Sequence, residues 1–341
     1  LFAFAILLCP VSADAEVKQG WAMNGNVSLG YWVQGADNGV PIVIINGQGA
    51  ASRPGDPLST ALAARGFRVI LFDNRDSGLS TILRDAGAPP GMDQIVAAVE
   101  AGEAPVVAYD LSDMADDTLA ILDATGIDRA HVLGHSLGGM IAQVLTAEHP
   151  DRVLSLISVS STSGDPALPF GPALMALSEP PVDPQESPTD QQARIYRIFD
   201  GSAYLLGPAE IIERVLADAA ADDPYAAARQ SAAVLATGDR RELLERIGLP
   251  ALVVHGGDDP WFPVIHAEST AKALGKAQVE LIDGLGHILT DAVAGTVASR
   301  ISGFVHSLPP RRPRTAQAVE VPPALYRSWS PRFDCALLSQ D

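Results

Sequence analysis

Two short stretches and one loop carry residue types that could do chemistry together. Gly134-His135-Ser136-Leu137-Gly138, followed by Gly139, sets a serine between glycines, with a strand-like run before it and a helical run after it. This is the pattern of a nucleophile elbow, a turn too sharp for side chains beside the backbone, which presents the hydroxyl at a helix N-terminus. A serine hydroxyl is a weak nucleophile near neutral pH, so it needs a general base, and the base needs an acid to orient it. Of the seven histidines, His287 closes the loop Asp283-Gly284-Leu285-Gly286-His287 after the last strand-like run and is the expected base. The acid is expected in Gly256-Gly257-Asp258-Asp259-Pro260. Asp259 is favoured because Pro260 fixes the turn after it, and Asp258 stands as the exposed alternative. The chain order Ser136, Asp259, His287 matches one of the convergent triads. Attack on a carbonyl would create an oxyanion that needs backbone donors. The expected donors are the amides of Leu137, just after the serine, and of Gln48 in Asn46-Gly47-Gln48-Gly49.

The other histidines fit blander roles. His135 flanks the serine and is expected to point away, His255 to be structural, His131 to open its strand far from the serine, and His149 to end a helix. His266 and His306 suggest only solvent or packing roles. Gly47-Gln48-Gly49-Ala50-Ala51-Ser52 imitates a dinucleotide-binding G-x-G-x-x-G, with Asp73 about 20 residues on, but the third glycine is missing. Met140 and Trp261 are expected to pack, although either could line an acyl pocket.

These residues need elements that bring them to one edge. Glu16 to Met23 and Val27 to Gln34 alternate around Asn24-Gly25, the signature of a hairpin. Continuous apolar runs follow at Pro41 to Asn46, Arg68 to Asp73, His131 to Gly134, Leu154 to Ser160, Ala251 to Gly256 and Val279 to Asp283. Such runs are buried on both faces, as in a parallel sheet. Between them lie helical stretches at Leu58 to Arg65, Leu111 to Thr125, Leu137 to Glu148, His266 to Leu274 and Ala292 to Val305. The pattern predicts an α/β fold: a mostly parallel, doubly wound sheet opened by an antiparallel hairpin. From about 161 to 248 the rhythm breaks into helices and Pro-rich loops, read as a helical cap inserted over the sheet's carboxyl edge.

Composition narrows the classes further. Asp plus Glu number 41 against 23 Lys plus Arg, for a net charge of -18, which opposes nucleic acid and anionic membrane surfaces. The same acidity predicts a bias toward neutral rather than anionic substrates. With two cysteines in 341 residues a disulfide scaffold is excluded. Residues 1–15 read as a secretory leader, an apolar stretch ending in Ala13-Asp14-Ala15, although it lacks a basic start and begins at Leu1. On that reading the protein is secreted or periplasmic; without cleavage it is cytoplasmic. Residues 16–308 form the folded domain, and 309–341, rich in Pro and Arg, read as a disordered tail. No HExxH, CxxC or P-loop is present, so neither a metal nor an organic cofactor is implied.

Taken together, Asn46 to Gly49, Phe72-Asp73-Asn74-Arg75-Asp76-Ser77-Gly78-Leu79-Ser80, Gly134 to Gly139, Asp259-Pro260 and Gly286-His287 resemble the α/β-hydrolase family over about Glu16 to Leu308. With Ser160 to Pro169, they are similar to its aclacinomycin methylesterase-like serine esterases. The resemblance implies hydrolysis of carboxylic, often methyl, esters through an acyl-enzyme. It departs where Asn46 replaces the usual histidine of the oxyanion loop. It implies a loop-fixing role for Asp73, Arg75 and Asp76, with contact to a charged substrate as the alternative. A lactonase, a C-C hydrolase or a perhydrolase would use the same triad, and a non-catalytic ligand-binding member of the fold is the alternative from another class.

Overall fold

In the computed structural model, which describes residues 17–178 and 187–309, eight strands form one sheet in the order β1-β2-β4-β3-β5-β6-β7-β8. The segments read as a leader, 1–15, and as a tail, 309–341 apart from residue 309, lie outside the described residues. The strands are β1 (Lys18–Asn24), β2 (Val27–Gln34), β3 (Val40–Ile45), β4 (Phe67–Phe72), β5 (Ala130–His135), β6 (Val153–Val159), β7 (Ala251–Gly256) and β8 (Gln278–Ile282). β2 is antiparallel to β1 and β4, and every other pairing is parallel. Each strand starts and ends within two residues of its expected bounds. The hairpin loop is shifted by one: Asn24 pairs with Val27, so the two loop residues are Gly25 and Asn26. Gly25 supplies the positive φ of +58 at the first loop position, as a type II′ turn requires.

The continuous apolar runs are explained by burial on both faces. Val43, Ile45, Ile70, Phe72 and Val253 pack on one side against α3 (Leu111–Ala124), α4 (Leu137–Glu148) and α10 (Ile265–Leu274). Their neighbours Ile42, Ile44, Val69, Leu71, Leu252 and Val254 pack on the other, against α1 (Pro57–Ala63) and α11 (Ala294–Ser307). Alternate residues of one strand therefore feed two cores, which leaves no polar face to break the run. Local signals set the helix starts: the Asp110 carboxylate accepts the Ser112 and Asp113 amides before α3, and Asp56 with Pro57 opens α1.

β4 lies on one side of β3 and β5 on the other, so the winding reverses between β3 and β5. Their carboxyl ends, register-matched at Ile45 and Gly134, open the crevice where ligands bind in doubly wound sheets. Over that edge lie α5 (Ala173–Ser178), α6 (Pro188–Ile198), α7 (Pro208–Asp218) and α8 (Ala226–Thr237), while α9 (Arg241–Glu245) packs against α4 and α10. The two ends of this insertion are joined by buried Arg240, whose amide donates to Ser163 O and whose guanidinium donates to Thr162 O. One helix, α2 (Met92–Glu100), was not expected. Met92, Ile95, Val96 and Val99 have helical spacing, which is the signal that would have found it.

Candidate active site

Ser136 sits between β5 and α4 with φ +52 and ψ -116, a region few residues other than glycine adopt. Close approach explains its glycines: a Cβ on Gly134 would lie 2.0 Å from Gly138 O, and one on Gly138 2.0 Å from Ile45 O. The strained turn is thus packed directly on the end of β3.

The structure brings Ser136, His287 and Asp259 together. His287 Nε2 is 2.9 Å from Ser136 Oγ, and its Nδ1 is 2.9 Å from Asp259 Oδ2. Asp259 Oδ1 accepts the Trp261 and Phe262 amides at 2.9 Å each, which fixes the carboxylate in its turn after β7. Burial by itself would raise the Asp259 carboxyl, but the charge and hydrogen bond of His287, helped by His255 and the Phe262 amide, hold it below the ordinary value. An ionised Asp259 makes Nδ1–H the donor, so Nε2 is left to accept from the serine. Asp258 is exposed and accepts from Ser202 Oγ instead.

His135, expected from the elbow to point away, turns instead toward the loop of His287. Its Nε2 lies 2.8 Å from the main-chain oxygen of His287, and the two rings are 5.4 Å apart. The serine's neighbour therefore braces the loop of the base, a contact between residues 152 positions apart that no local pattern signals. Burial, and then the neighbouring His287, push the His135 imidazole down to about 3, so it stays neutral. His255 is structural, donating from Nε2 to Phe262 O at 2.8 Å beside Asp259. His266 is buried with both ring nitrogens engaged, to Thr162 Oγ1 and Pro169 O.

The loop after β3 presses on the serine: a Cβ on Gly47 would lie 3.5 Å from Ser136 Cβ. From Gln48 to Ser52, each amide but the first has a protein acceptor. Gly49 donates to Gln230 Oε1 (2.8 Å), Ala50 to Gly47 O (3.3 Å), Ala51 to Asp218 Oδ1 (3.0 Å) and Ser52 to Asp73 Oδ1 (2.6 Å). Among the described residues the Gln48 amide has none, and neither has the Leu137 amide at the start of α4. In a trans peptide C=O and N–H point in opposite directions. The bond from Ala50 to Gly47 O therefore turns the Gln48 N–H away from the loop. Asn46 ties this loop down by donating to Ser52 Oγ at 2.8 Å.

The charged residues after β4 are committed to protein partners. Asp73 accepts the Ser52 and Leu79 amides, and burial pushes its carboxyl up to about 6. Arg75 forms a two-pronged pair with buried Asp117, at 2.7 and 2.8 Å. Asp76 accepts from Tyr109 and, at 2.8 and 2.7 Å, from Arg229 of α8.

A cavity of about 1360 Å³ opens over these groups, walled by the sheet edge, the cap and α2. Met140 and Trp261 line it, as do Met92, Val96 and Val99. Among the described residues no cluster of three His, Cys, Asp or Glu side chains could hold a metal ion, and no helix is long and apolar enough to cross a membrane.

The profile of a family described as alpha/beta hydrolase fold matches residues 40–188. Rhodomycin D methylesterase DauP of Streptomyces sp. (strain C5) is 27% identical over 76% of this chain and 89% of its own length. A pimeloyl-acyl-carrier-protein methyl ester esterase of Neisseria meningitidis serogroup B (strain MC58) is 31% identical over 54% of this chain and 71% of its own. A putative carbamate hydrolase of Variovorax paradoxus, RutD, is 34% identical, but the chain spans only 43% of its length. Among solved structures, a bacterial membrane phospholipase A superposes with a TM-score of 0.65 at 21% identity, covering 85% of this chain and 86% of that one; this likeness concerns the fold alone.

Proposed function

This chain belongs to the α/β-hydrolase family, and from that premise we propose that it is a serine esterase cleaving carboxylic esters, methyl esters among them. The observation that carries the reading is the pair of 2.9 Å contacts linking Ser136, His287 and Asp259 beside two amides without protein acceptors. Ser136 Oγ adds to the ester carbonyl while its proton passes to His287 Nε2. The Gln48 and Leu137 amides donate to the oxyanion, where preorganised donors act most strongly. Collapse of the adduct breaks the bond to the alcohol, which leaves with the proton from His287. Water then gives a proton to His287 and attacks the acyl-enzyme, releasing the acid and restoring the serine.

The similarity to methyl ester hydrolases supports the choice of bond, and the size of the cavity favours a bulky acyl or alcohol group. The test is labelling of Ser136 by a fluorophosphonate and a burst of p-nitrophenol from a short-chain ester, both lost in Ser136→Ala. A panel of methyl, aryl, lactone and thioester substrates then names the bond. An unlabelled, inert wild type would leave the reading of a non-catalytic binding member. We also propose export of the protein, on the leader pattern of residues 1–15. A secreted form whose N-terminal sequence starts at Glu16 is the expected result.

A further inference from the structure

Four of the acceptors that hold the loop after β3 come from the cap: Asp218 of α7 and, on α8, Gln230, Ala227 and Ser231. Gln230 of α8 is fully buried, and its amide has one possible orientation: Nε2 donates to Arg75 O (2.8 Å) and Ser77 Oγ (3.0 Å), which leaves Oε1 for the Gly49 amide. Its side chain thus pins the loop after β4 to the loop after β3. Gln48 reaches the opposite way, its Nε2 donating to Ala227 O (2.9 Å) and Ser231 Oγ (2.8 Å) on the same helix. The two tethers cross within little more than one turn of α8, and the Arg229 to Asp76 ion pair anchors that turn to the framework. Between them lies the Gln48 amide, in a loop whose Gly47 and Gly49 would otherwise let it shift. An oxyanion donor works only within about 2.7–3.1 Å of the developing charge.

We propose that α8 positions the Gln48 amide through Gln230 and the Gln48 side chain, so that Gln230 is a positioning residue and the catalytic donor is complete only with the cap seated. The proposal rests on the reading of Ser136 as the acylated nucleophile. A further consequence is that the cap contributes to turnover as well as to substrate binding.

The experiment compares wild type, Gln230→Met and Gln48→Ala. The readouts are p-nitrophenyl ester kinetics and the affinity of a trifluoromethyl ketone, whose serine adduct carries an alkoxide at the oxyanion position. The expected result is a kcat lowered about ten- to a hundredfold in Gln230→Met, as misplacement by an ångström can cause, with KM nearly unchanged. Ketone affinity should fall by the same factor as kcat/KM. Gln48→Ala should move both readouts in the same direction; its side chain is exposed, so it carries the test even if Gln230→Met fails to fold. Wild-type kcat in both variants, or a rise in KM alone, overturns the proposal while Ser136→Ala, if inactive, leaves the esterase reading standing. A wild type inert to fluorophosphonate and ester overturns both.

Discussion

The imidazole of His135 donates from Nε2 to the main-chain oxygen of His287 at 2.8 Å, so the residue beside the nucleophile holds the loop that carries the base. Only the neutral ring with its proton on Nε2, or the cation, can make this bond, and burial disfavours the cation.

That burial makes stability depend on pH. The folded-state value of His135 is about 3 against 6.5 for the free side chain, so between these limits the unfolded chain binds more protons. Stability therefore rises with pH over this window: the contribution is fully present above 6.5 and is lost as pH falls toward 3. Urea midpoints measured from pH 4 to 7 should fall with acidity in the wild type. The fall should be shallower in His135→Gln, which can still donate to His287 O. Equal slopes in the two proteins would refute the assignment.

Replacing the two neighbouring carboxylates separates their roles. Asp259 Oδ1 is held by the Trp261 and Phe262 amides, so an asparagine there would keep its oxygen on them and turn its NH2 toward His287 Nδ1. The ring would then carry its proton on Nε2 and could not take one from Ser136. Asp259→Asn should lose about ten-thousandfold in kcat, the scale seen for a wrong tautomer. Asp258→Asn, whose side chain accepts from exposed Ser202 rather than from His287, should stay near wild type. Steady-state ester hydrolysis decides between them.

Ser136, Asp259 and His287 were legible because each sits in a turn whose own neighbours announce it: flanking glycines, a following proline, the end of an apolar run. The strands were legible because double-sided burial leaves continuous apolar runs. What tied these turns together was not. Gln230 and Gly49 are 181 positions apart, and Arg229 and Asp76 are 153 apart, so nothing in the local sequence marks either contact. For His135, backbone geometry suggested the wrong direction because its partner is a main-chain oxygen, which any residue offers. Helix α2 is masked in the sequence for a different reason: only Ile95 is buried, while Met92, Val96 and Val99 face the cavity or solvent, so its helical spacing serves the site more than the core.

Arg229 and Asp76 form a buried pair between α8 and the loop after β4, with Tyr109 and the Leu83 amide as further partners of the carboxylate. Removing one member leaves a buried charge unpaired, which typically costs about 3–5 kcal/mol. Arg229→Met should lower stability by that order in denaturant unfolding. The double variant Arg229→Met with Asp76→Asn should lose less than the sum of the single losses, since the second change removes the charge the first one stranded. Strict additivity would mean that the pair does not couple the cap to the framework.

Substrate charge gives the last test. On the cavity wall the carboxylates outnumber the three arginines, Arg53, Arg214 and Arg240, and the chain as a whole carries -18. Arg53 is already paired with Asp291 and Arg214 with Glu210, and Arg240 donates to Gln143 and to main-chain oxygens, so none of the three offers a free cation to an incoming anion. A neutral ester should therefore bind better than its own free acid, which speeds release of the product as its charge appears. The preference should shrink as salt rises from about 0.01 M to 1 M, where the screening length drops from roughly 30 Å to 3 Å. The measurement is the inhibition constant of the free acid against the KM of its methyl ester across that range. An acid that bound as tightly as the ester at low salt would require a cationic subsite and would end the argument from charge.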